Sequence, residues 1–310
     1  MQQPPAPIAT VVVPTRNSAR TMAACLSSII GQTDRHGQRL GVELIVVDNH
    51  SDDGTASIAA DLAHRVVIAG PERSAQRNAG AALASSAVIA FIDSDQLLQP
   101  TVVAEAVALL EARPEVGVVV VPERSFGQGW WAAARCFERR LSDGDARTEA
   151  GRFYRRDALE LHGGFDETLT GPEDWELHDR MVAAGWQVAR TTARIEHDEG
   201  RIDLRAAFAK KRYYGRAFHR YQRLPWARRG AFAPSRLATR PTALLRRPDL
   251  TARLVVLKAV EAAGAACGTL DARRARRSQR PRPLVRTNPP TRPTALHRGD
   301  PAGIQLEEAS

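Results

Sequence analysis

Apolar residues along the chain fall into short unbroken runs, separated by segments in which they recur every three or four positions. Ile8–Val13 is a β-branched run ending at Pro14, and Ser18 opens a helical spacing of Met22, Leu26, Ile29 and Ile30 that stops at Gly31. The pair repeats as a strand over Glu43–Val47 with a helix after Asp53, then a strand over Arg65–Ala69 with a helix over Ser74–Ser85, then a strand over Ala87–Ile92. Pro100 and Thr101 begin a further helix through Val102, Val103, Val107 and Leu110, and the run Val116–Val121 supplies a fifth strand. Runs such as Leu44–Val47, with no polar alternation, suit a sheet covered on both faces, and crossover helices are that cover. The fold class expected is therefore α/β: an open, doubly wound, mainly parallel sheet with helices on both faces.

The pattern then weakens. Gly127–Glu149 alternates helix and loop without clear punctuation, and Gly171-Pro172-Glu173-Asp174 reads as a loop leading into a helix over Trp175–Ala183. Past Pro225 proline, arginine and alanine dominate, broken by an amphipathic stretch over Asp249–Leu270 that puts Leu250, Leu254 and Leu257 on one face. The organisation expected is a flexible N-terminus over 1–7, a folded domain over 8–200, a helical basic extension over 201–272 and a disordered Arg- and Pro-rich tail over 273–310. There is no repeat of solenoid length.

Composition adds a partner to this picture. The chain carries a net charge of +9, which calls for something anionic: nucleic acid, a phosphorylated ligand or an acidic membrane surface. Arginine accumulates after Lys210 while carboxylates concentrate earlier, so the excess belongs to the extension. Cys25, Cys136 and Cys267 show neither zinc-ligand nor C-x-x-C spacing, which fits a reduced, cytoplasmic setting. The Pro-rich start lacks the layout of a signal peptide, and no stretch approaches ~18 uninterrupted apolar residues, so neither secretion nor a spanning helix is expected.

In open α/β sheets ligands bind at the carboxyl ends of the strands. Here those ends carry Pro14–Asn17, Asp48–Asp53 and Asp93-Ser94-Asp95. Taken alone, Asp93-Ser94-Asp95 reads as a turn ahead of the Pro100 helix. With Asp48 and Asp52-Asp53 converging on the same edge it reads as chemistry, because carboxylates suit hard divalent cations, and Mg²⁺ or Mn²⁺ commonly uses one or two of them together with substrate phosphates. The missing ligands would then be a diphosphate.

Six motifs occur in order: Val13-Pro14-Thr15-Arg16-Asn17, Val47-Asp48-Asn49-His50-Ser51-Asp52-Asp53-Gly54-Thr55, Arg77-Asn78-Ala79-Gly80, Phe91-Ile92-Asp93-Ser94-Asp95, Gly163-Gly164-Phe165-Asp166-Glu167 and Glu173-Asp174. Over Ile8–His197 the chain resembles a family 2 glycosyltransferase with the glycosyltransferase A fold. The resemblance implies a metal-dependent, inverting, hexosyltransferase-like enzyme, with 8–200 as its catalytic domain and a nucleotide-diphosphate sugar as donor. It implies that the Pro14, Thr15 and Asn17 turn and Asp48 hold the nucleobase, that Asp93 approaches the ribose and that Asp95 binds Mn²⁺ or Mg²⁺. Asp174 is implied as the base that takes the acceptor proton, with Glu173 as the alternative. Two departures stand out: Thr15-Arg16 replaces a single aromatic between Pro and Asn, and His50 sits where glycine is common.

Three readings stay double at this point. Glu173 and Asp174 also suit a helix N-terminus, where acids complement the dipole. His197 is either a structural or solvated histidine or, as in related enzymes of the fold, the last ligand of the metal. Arg77 is either a solvated helix cation or a donor contact. The Leu204–Arg223 segment interleaves Phe208, Tyr213, Tyr214, Phe218 and Tyr221 with Lys210, Lys211, Arg212, Arg216 and Arg220, which suits either an anionic membrane interface or a helix packed on the core. Peripheral attachment to the inner face of the cell membrane would fit a glycan or lipid-linked acceptor, as for many bacterial cell-envelope glycans. A dehydrogenase is disfavoured because Pro14-Thr15-Arg16-Asn17 is no glycine fingerprint, a nucleotidyltransferase because a phosphate loop is lacking, and a nucleic-acid binder because the strand ends are acidic. A homologue that binds nucleotide sugar without turnover, or a basic nucleic-acid-binding protein, remains the alternative to the enzyme.

Overall fold

The computed structural model describes residues 6–146, 148–228 and 240–278. Strands β1 (Ala9–Thr15), β2 (Val42–Asp48), β3 (Arg65–Ile68) and β4 (Val88–Phe91) alternate with helices α1 (Ala19–Ile30), α2 (Thr55–Leu62) and α3 (Arg73–Ala82). A short strand β5 (Gln96–Leu98), helix α4 (Val102–Ala112) and strands β6 (Val116–Val120) and β7 (Glu123–Gln128) follow. Then come α5 (Trp130–Ser142), β8 (Gly151–Arg155), α6 (Arg156–Leu161), α7 (Glu173–Ala183), β9 (Gln187–Arg190) and β10 (Ile195–Arg201). The chain is completed by α8 (Leu204–Tyr221), α9 (Pro241–Arg246) and α10 (Pro248–Ser278).

Seven strands form the main sheet in the order β3-β2-β1-β4-β8-β6-β9. The β1/β2, β2/β3, β1/β4 and β6/β9 pairs are parallel, whereas β8 runs antiparallel to both neighbours. The fifth strand anticipated at Val116–Val121 is therefore present but does not abut β4: β8 lies between them. Alternate residues of the same strands serve opposite faces. Val11, Val13, Leu44 and Val46 pack on Met22, Leu26 and Ile29 of α1 and on Val103 and Val107 of α4. Val12, Ile45, Val47 and Phe91 pack on α3, α6 and α7. Covering both faces is what makes these strands unbroken apolar runs. The α/β architecture is as expected, with helices on both sides.

A second sheet of order β5-β10-β7 stands beside the first. The sequence gives little sign of it, because β7 and β10 are polar strands without alternation. Helices α5, α8, α9 and α10 share a third apolar cluster built on Phe137, Leu141, Leu250, Leu254 and Leu257. Helices α8 and α10 run side by side in parallel and nearly touch: a side chain at Gly264 would meet the Phe208 backbone, and one at Gly268 the Arg212 carbonyl. Helix α10 continues to Ser278, beyond the Arg273 at which order was expected to end. The expectation of disorder over 279–310 lies outside the described residues, as do most of the flexible N-terminus and residues 229–239.

Candidate active site

The carboxyl ends of β1, β2 and β4, the residues at the starts of β5, β7 and α7, and the middle of β10 meet at one edge of the sheet, where carboxylates and cations interleave. Each is fixed by local structure. At the end of β1, Asn17 takes a left-handed backbone with φ 50° and ties the turn to the next strand end: its amide donates to Ser51 Oγ at 2.8 Å, and its Oδ1 accepts from Asp52 N at 3.1 Å. Asp53 accepts from Ala19 N at 3.0 Å and so caps α1. His50, at the position where the resemblance has glycine, also adopts φ 51°. The left-handed conformation is kept there without the residue that favours it.

Arg77 shows how burial departs from sequence expectation. It is neither a solvated cation nor exposed to a donor, being wholly buried beneath the site. One side of its guanidinium lies 2.9 Å from Asp93 Oδ1 and the other holds Asp174, with Glu173 Oε1 at 3.8 Å. The Phe165 ring closes over it at 5.1 Å. The rest of the Arg77-Asn78-Ala79-Gly80 motif is structural. Asn78 brackets Phe165 by accepting from its amide and donating to its carbonyl, both at 2.9 Å, which pins the Gly163-Gly164-Phe165 loop. At Gly80 a side chain would collide with Val12, so glycine lets α3 settle on β1.

Two further arginines, unnoticed in the sequence, complete the lattice. Arg152 on β8 reaches Glu123 at 2.6 Å, Asp93 at 3.6 Å and Asp174 at 3.7 Å. Arg73 lies 2.9 Å from Glu173 and donates to the Tyr214 hydroxyl at 3.0 Å, which secures α8 to the site. Glu123 and Asp93 are joined through Gln96, whose side chain accepts from Asp93 N at 3.0 Å and donates to Glu123 at 3.2 Å. Burial would raise the Asp93 carboxyl, but Arg77, Arg152 and Arg73 outweigh it and hold the group well below the usual range. Glu123 is likewise depressed, chiefly by Arg152 against the cost of burial.

The two members of the Glu173-Asp174 pair differ. Glu173 is 1 % exposed, accepts from Gly171 N and is raised by burial despite Arg73. So little exposed surface argues against Glu173 as the alternative base. Asp174 keeps 24 % of its side chain exposed. Helix α7 begins at Glu173, two residues before the Trp175 expected, so both acids also occupy its first turn. Asp48 requires a second correction. It is buried, and its oxygens accept from the amide and hydroxyl of Ser51, so the carboxylate shapes its own turn and is not presented to a nucleobase. Thr15 is buried too, while Asn17 stands exposed.

Asp95, just ahead of β5, and His197, on the neighbouring strand β10 opposite Gln96, come together in the small sheet. His197 Nε2 lies 3.4 Å from Asp95 Oδ2, and its Nδ1 lies 3.4 Å from Glu123 Oε2. Burial alone would lower the imidazole pKa, but the two carboxylates outweigh it and push it up to about 10. Two atoms bound side by side to one cation at roughly 2.0–2.2 Å stand about 3 Å apart, so the Asp95–His197 pair fits a shared ion with little movement. Among the described residues no group of three His, Cys, Asp or Glu side chains is disposed to hold a metal. A cation on this pair would take its other ligands from substrate phosphate and water, and Glu123 would orient the imidazole from behind.

Known proteins similar to this chain are glycosyltransferases. The chain is 29% identical over 271 residues to the pre-mycofactocin glycosyltransferase of Mycobacterium tuberculosis, covering 80% of this chain and 50% of that protein. It is 26% identical over 199 residues to glycosyltransferase AglE of Haloferax volcanii, covering 59% of this chain and 64% of that protein. The chain thus spans between half and two thirds of the length of these curated relatives. Among solved structures, a mannosyltransferase from Pyrobaculum calidifontis in complex with GDP-Man and Mn²⁺ superposes with a TM-score of 0.53 at 25% identity, over 88% of this chain and 79% of that one. The glycosyl transferase family 2 model matches residues 10–166, from the first strand through Asp166 and so short of Asp174 and His197. With half its length matched and the glycosyltransferase A architecture in place, the chain belongs to glycosyl transferase family 2.

Proposed function

We propose that the chain is an inverting glycosyltransferase that moves a sugar from a nucleotide-diphosphate sugar to an acceptor hydroxyl, with Mn²⁺ or Mg²⁺ held by Asp95 and His197. The observation that carries the reading is Asp174: a partly exposed carboxylate of the site, held by Arg77, which also holds Asp93. One guanidinium thereby fixes the spacing between the donor side and the acceptor side. The cation, when bound, would neutralise the diphosphate as it leaves. Asp174 would take the proton of the acceptor hydroxyl while its oxygen bonds to the anomeric carbon and the bond from that carbon to the diphosphate breaks. Arg77 and Arg152 act on Asp174 by orientation, and direct contact with the donor passes from Arg77 and Asp48 to the exposed turn at Asn17 and to Asp93. A solved relative in complex with GDP-Man and Mn²⁺ supports this choice of donor class and ion. Many cell-envelope glycans are assembled on lipid carriers, and the basic extension suits such an acceptor.

The test separates binding from transfer. Asp174→Asn is expected to keep nucleotide-sugar affinity within about twofold and to lose 10²–10⁴-fold of the rate at which nucleoside diphosphate is released. Asp95→Ala is expected to lose Mn²⁺-dependent donor binding. Normal turnover in the first variant would remove Asp174 as the base, and unchanged Mn²⁺-dependent binding in the second would remove the metal site. Donor binding with no turnover in the parent chain would favour the non-catalytic homologue.

A further inference from the structure

Helix α10 has two apolar faces. At roughly 100° per residue, Leu250, Leu254, Leu257, Glu261, Gly264 and Gly268 form one side, and all are buried or closely packed against α5 and α8. The opposite side carries Val255, Val256, Ala259, Ala263, Ala266 and Leu270, every one exposed. The largest are half bare: Val255 is 55%, Val256 45% and Leu270 50% exposed. From Ala252 to Leu270 no charged side chain stands on that outward arc, because Arg253, Lys258 and Glu261 turn toward α5, where Arg253 lies 4.4 Å over the Trp130 ring and Lys258 pairs with Glu138 at 2.9 Å. Solvent-facing helices are ordinarily polar on this side. No helix among the described residues is long and apolar enough to cross a membrane.

Charge says what covers this face. Residues 201–278 contain 20 Lys and Arg against 4 Asp and Glu, whereas residues 1–200 contain 19 against 28. The apolar arc is bracketed by exposed Arg246 and Arg247 at one end and Arg273 and Arg274 at the other, with Arg205, Lys210, Arg212, Arg216 and Arg220 exposed along the neighbouring α8. A second copy on this face would bring two such basic surfaces together, which like-charge repulsion opposes. The aromatic residues of α8 are meanwhile engaged elsewhere. Tyr221 is buried with its hydroxyl on Asp179 at 2.7 Å, Tyr214 accepts from Arg73, and Tyr213 holds Glu72. Of the two readings of the Leu204–Arg223 segment, Tyr214 and Tyr221 follow the one in which aromatics pack on the domain, while Tyr213 stays 43% exposed.

We propose that the outward face of α10, with the basic edge of α8 beside it, docks the chain in the plane of an anionic lipid bilayer. The apolar arc enters the headgroup boundary, and the arginines meet the phosphates. This deepens the transfer reading by naming a surface, and it is measured without donor, so either can fail alone. The experiment is sedimentation of the full chain with vesicles of phosphatidylcholine with or without phosphatidylglycerol, together with its mass in solution. Binding to the anionic vesicles alone, weakening as salt rises, is expected. Val256→Glu, at an exposed helix position, should lower the apparent affinity about tenfold or more with its melting temperature kept, and Arg273→Ala with Arg274→Ala should lower it by a similar factor. If Val256→Glu fails to fold, the arginine pair and the lipid and salt dependence still decide. No binding by the parent chain would overturn the proposal. So would undiminished binding by a folded Val256→Glu, or a parent dimer that this substitution converts to monomer.

Discussion

Arg77 touches three carboxylates from inside the protein, and its replacement would leave Arg73 and Arg152 alone to balance them from the edges of the cluster. Breaking a buried ionic cluster from one side costs about 3–5 kcal/mol, because the charges left behind stay desolvated. Arg77→Met is therefore expected to lose stability in that range in urea unfolding, a much larger effect than a surface arginine would give. His50 offers the opposite sign. Its φ of 51° places a side chain in a conformation that costs an L-residue about 1–2 kcal/mol, and Gly70 and Asn49 already constrain the turn beside it. His50→Gly should be neutral or raise stability by up to about 1 kcal/mol, measured in the same unfolding experiment, since part of the relief is returned as unfolded-chain entropy. At this scale the sequence identified the acids but not their keeper. An arginine in a helix-like run carries no mark of burial, and only the three-dimensional meeting of Asp93, Glu173 and Asp174 supplies one.

Helices and strands were legible in proportion to how completely they are buried. Strands β1, β2, β4 and β6 are covered on both faces and so read as unbroken apolar runs. Strand β8 has Arg152 and Arg155 around Phe153 and Tyr154, and charges at both ends hid an element that sits in the middle of the sheet. Glu123 follows directly on Val121-Pro122 at the end of an apolar run, so the strand-end rule that found Asp93 applies to it as well. The same burial sets two predictions for packing. Gly80→Ala would drive a methyl into Val12 and should cost about 1–3 kcal/mol by denaturant unfolding. Between α5, α8 and α10, burial would raise Glu261, but Arg135, Lys211 and Lys258 draw its pKa from 4.5 down to about 2. A depressed carboxyl stabilises the fold above its unfolded value and ceases to do so as pH falls through the folded one. Glu261→Gln should then be less stable than the parent by about 3 kcal/mol at pH 7, with the gap closing between roughly pH 4.5 and pH 2 when melting is followed against pH.

For the whole molecule, charge is divided along the chain. The acidic first 200 residues gather Asp93, Asp95, Asp174 and His197 from β4, β5, α7 and β10 into one site, and the basic extension packs against that domain through Tyr214 and Tyr221 while leaving an apolar helix face outward. The acids of the site explain why a donor should bring a cation with it: Asp93 and Asp95 would otherwise repel a diphosphate entering beside them. Thermal melting of the chain with a panel of nucleoside diphosphates, each with and without Mn²⁺, tests this most directly, since a ligand that binds the folded state raises its melting temperature by mass action. The account predicts an upward shift that needs Mn²⁺, is largest for one nucleobase and is absent in Asp95→Ala; a panel in which no nucleotide shifts the melt, with or without Mn²⁺, would contradict it.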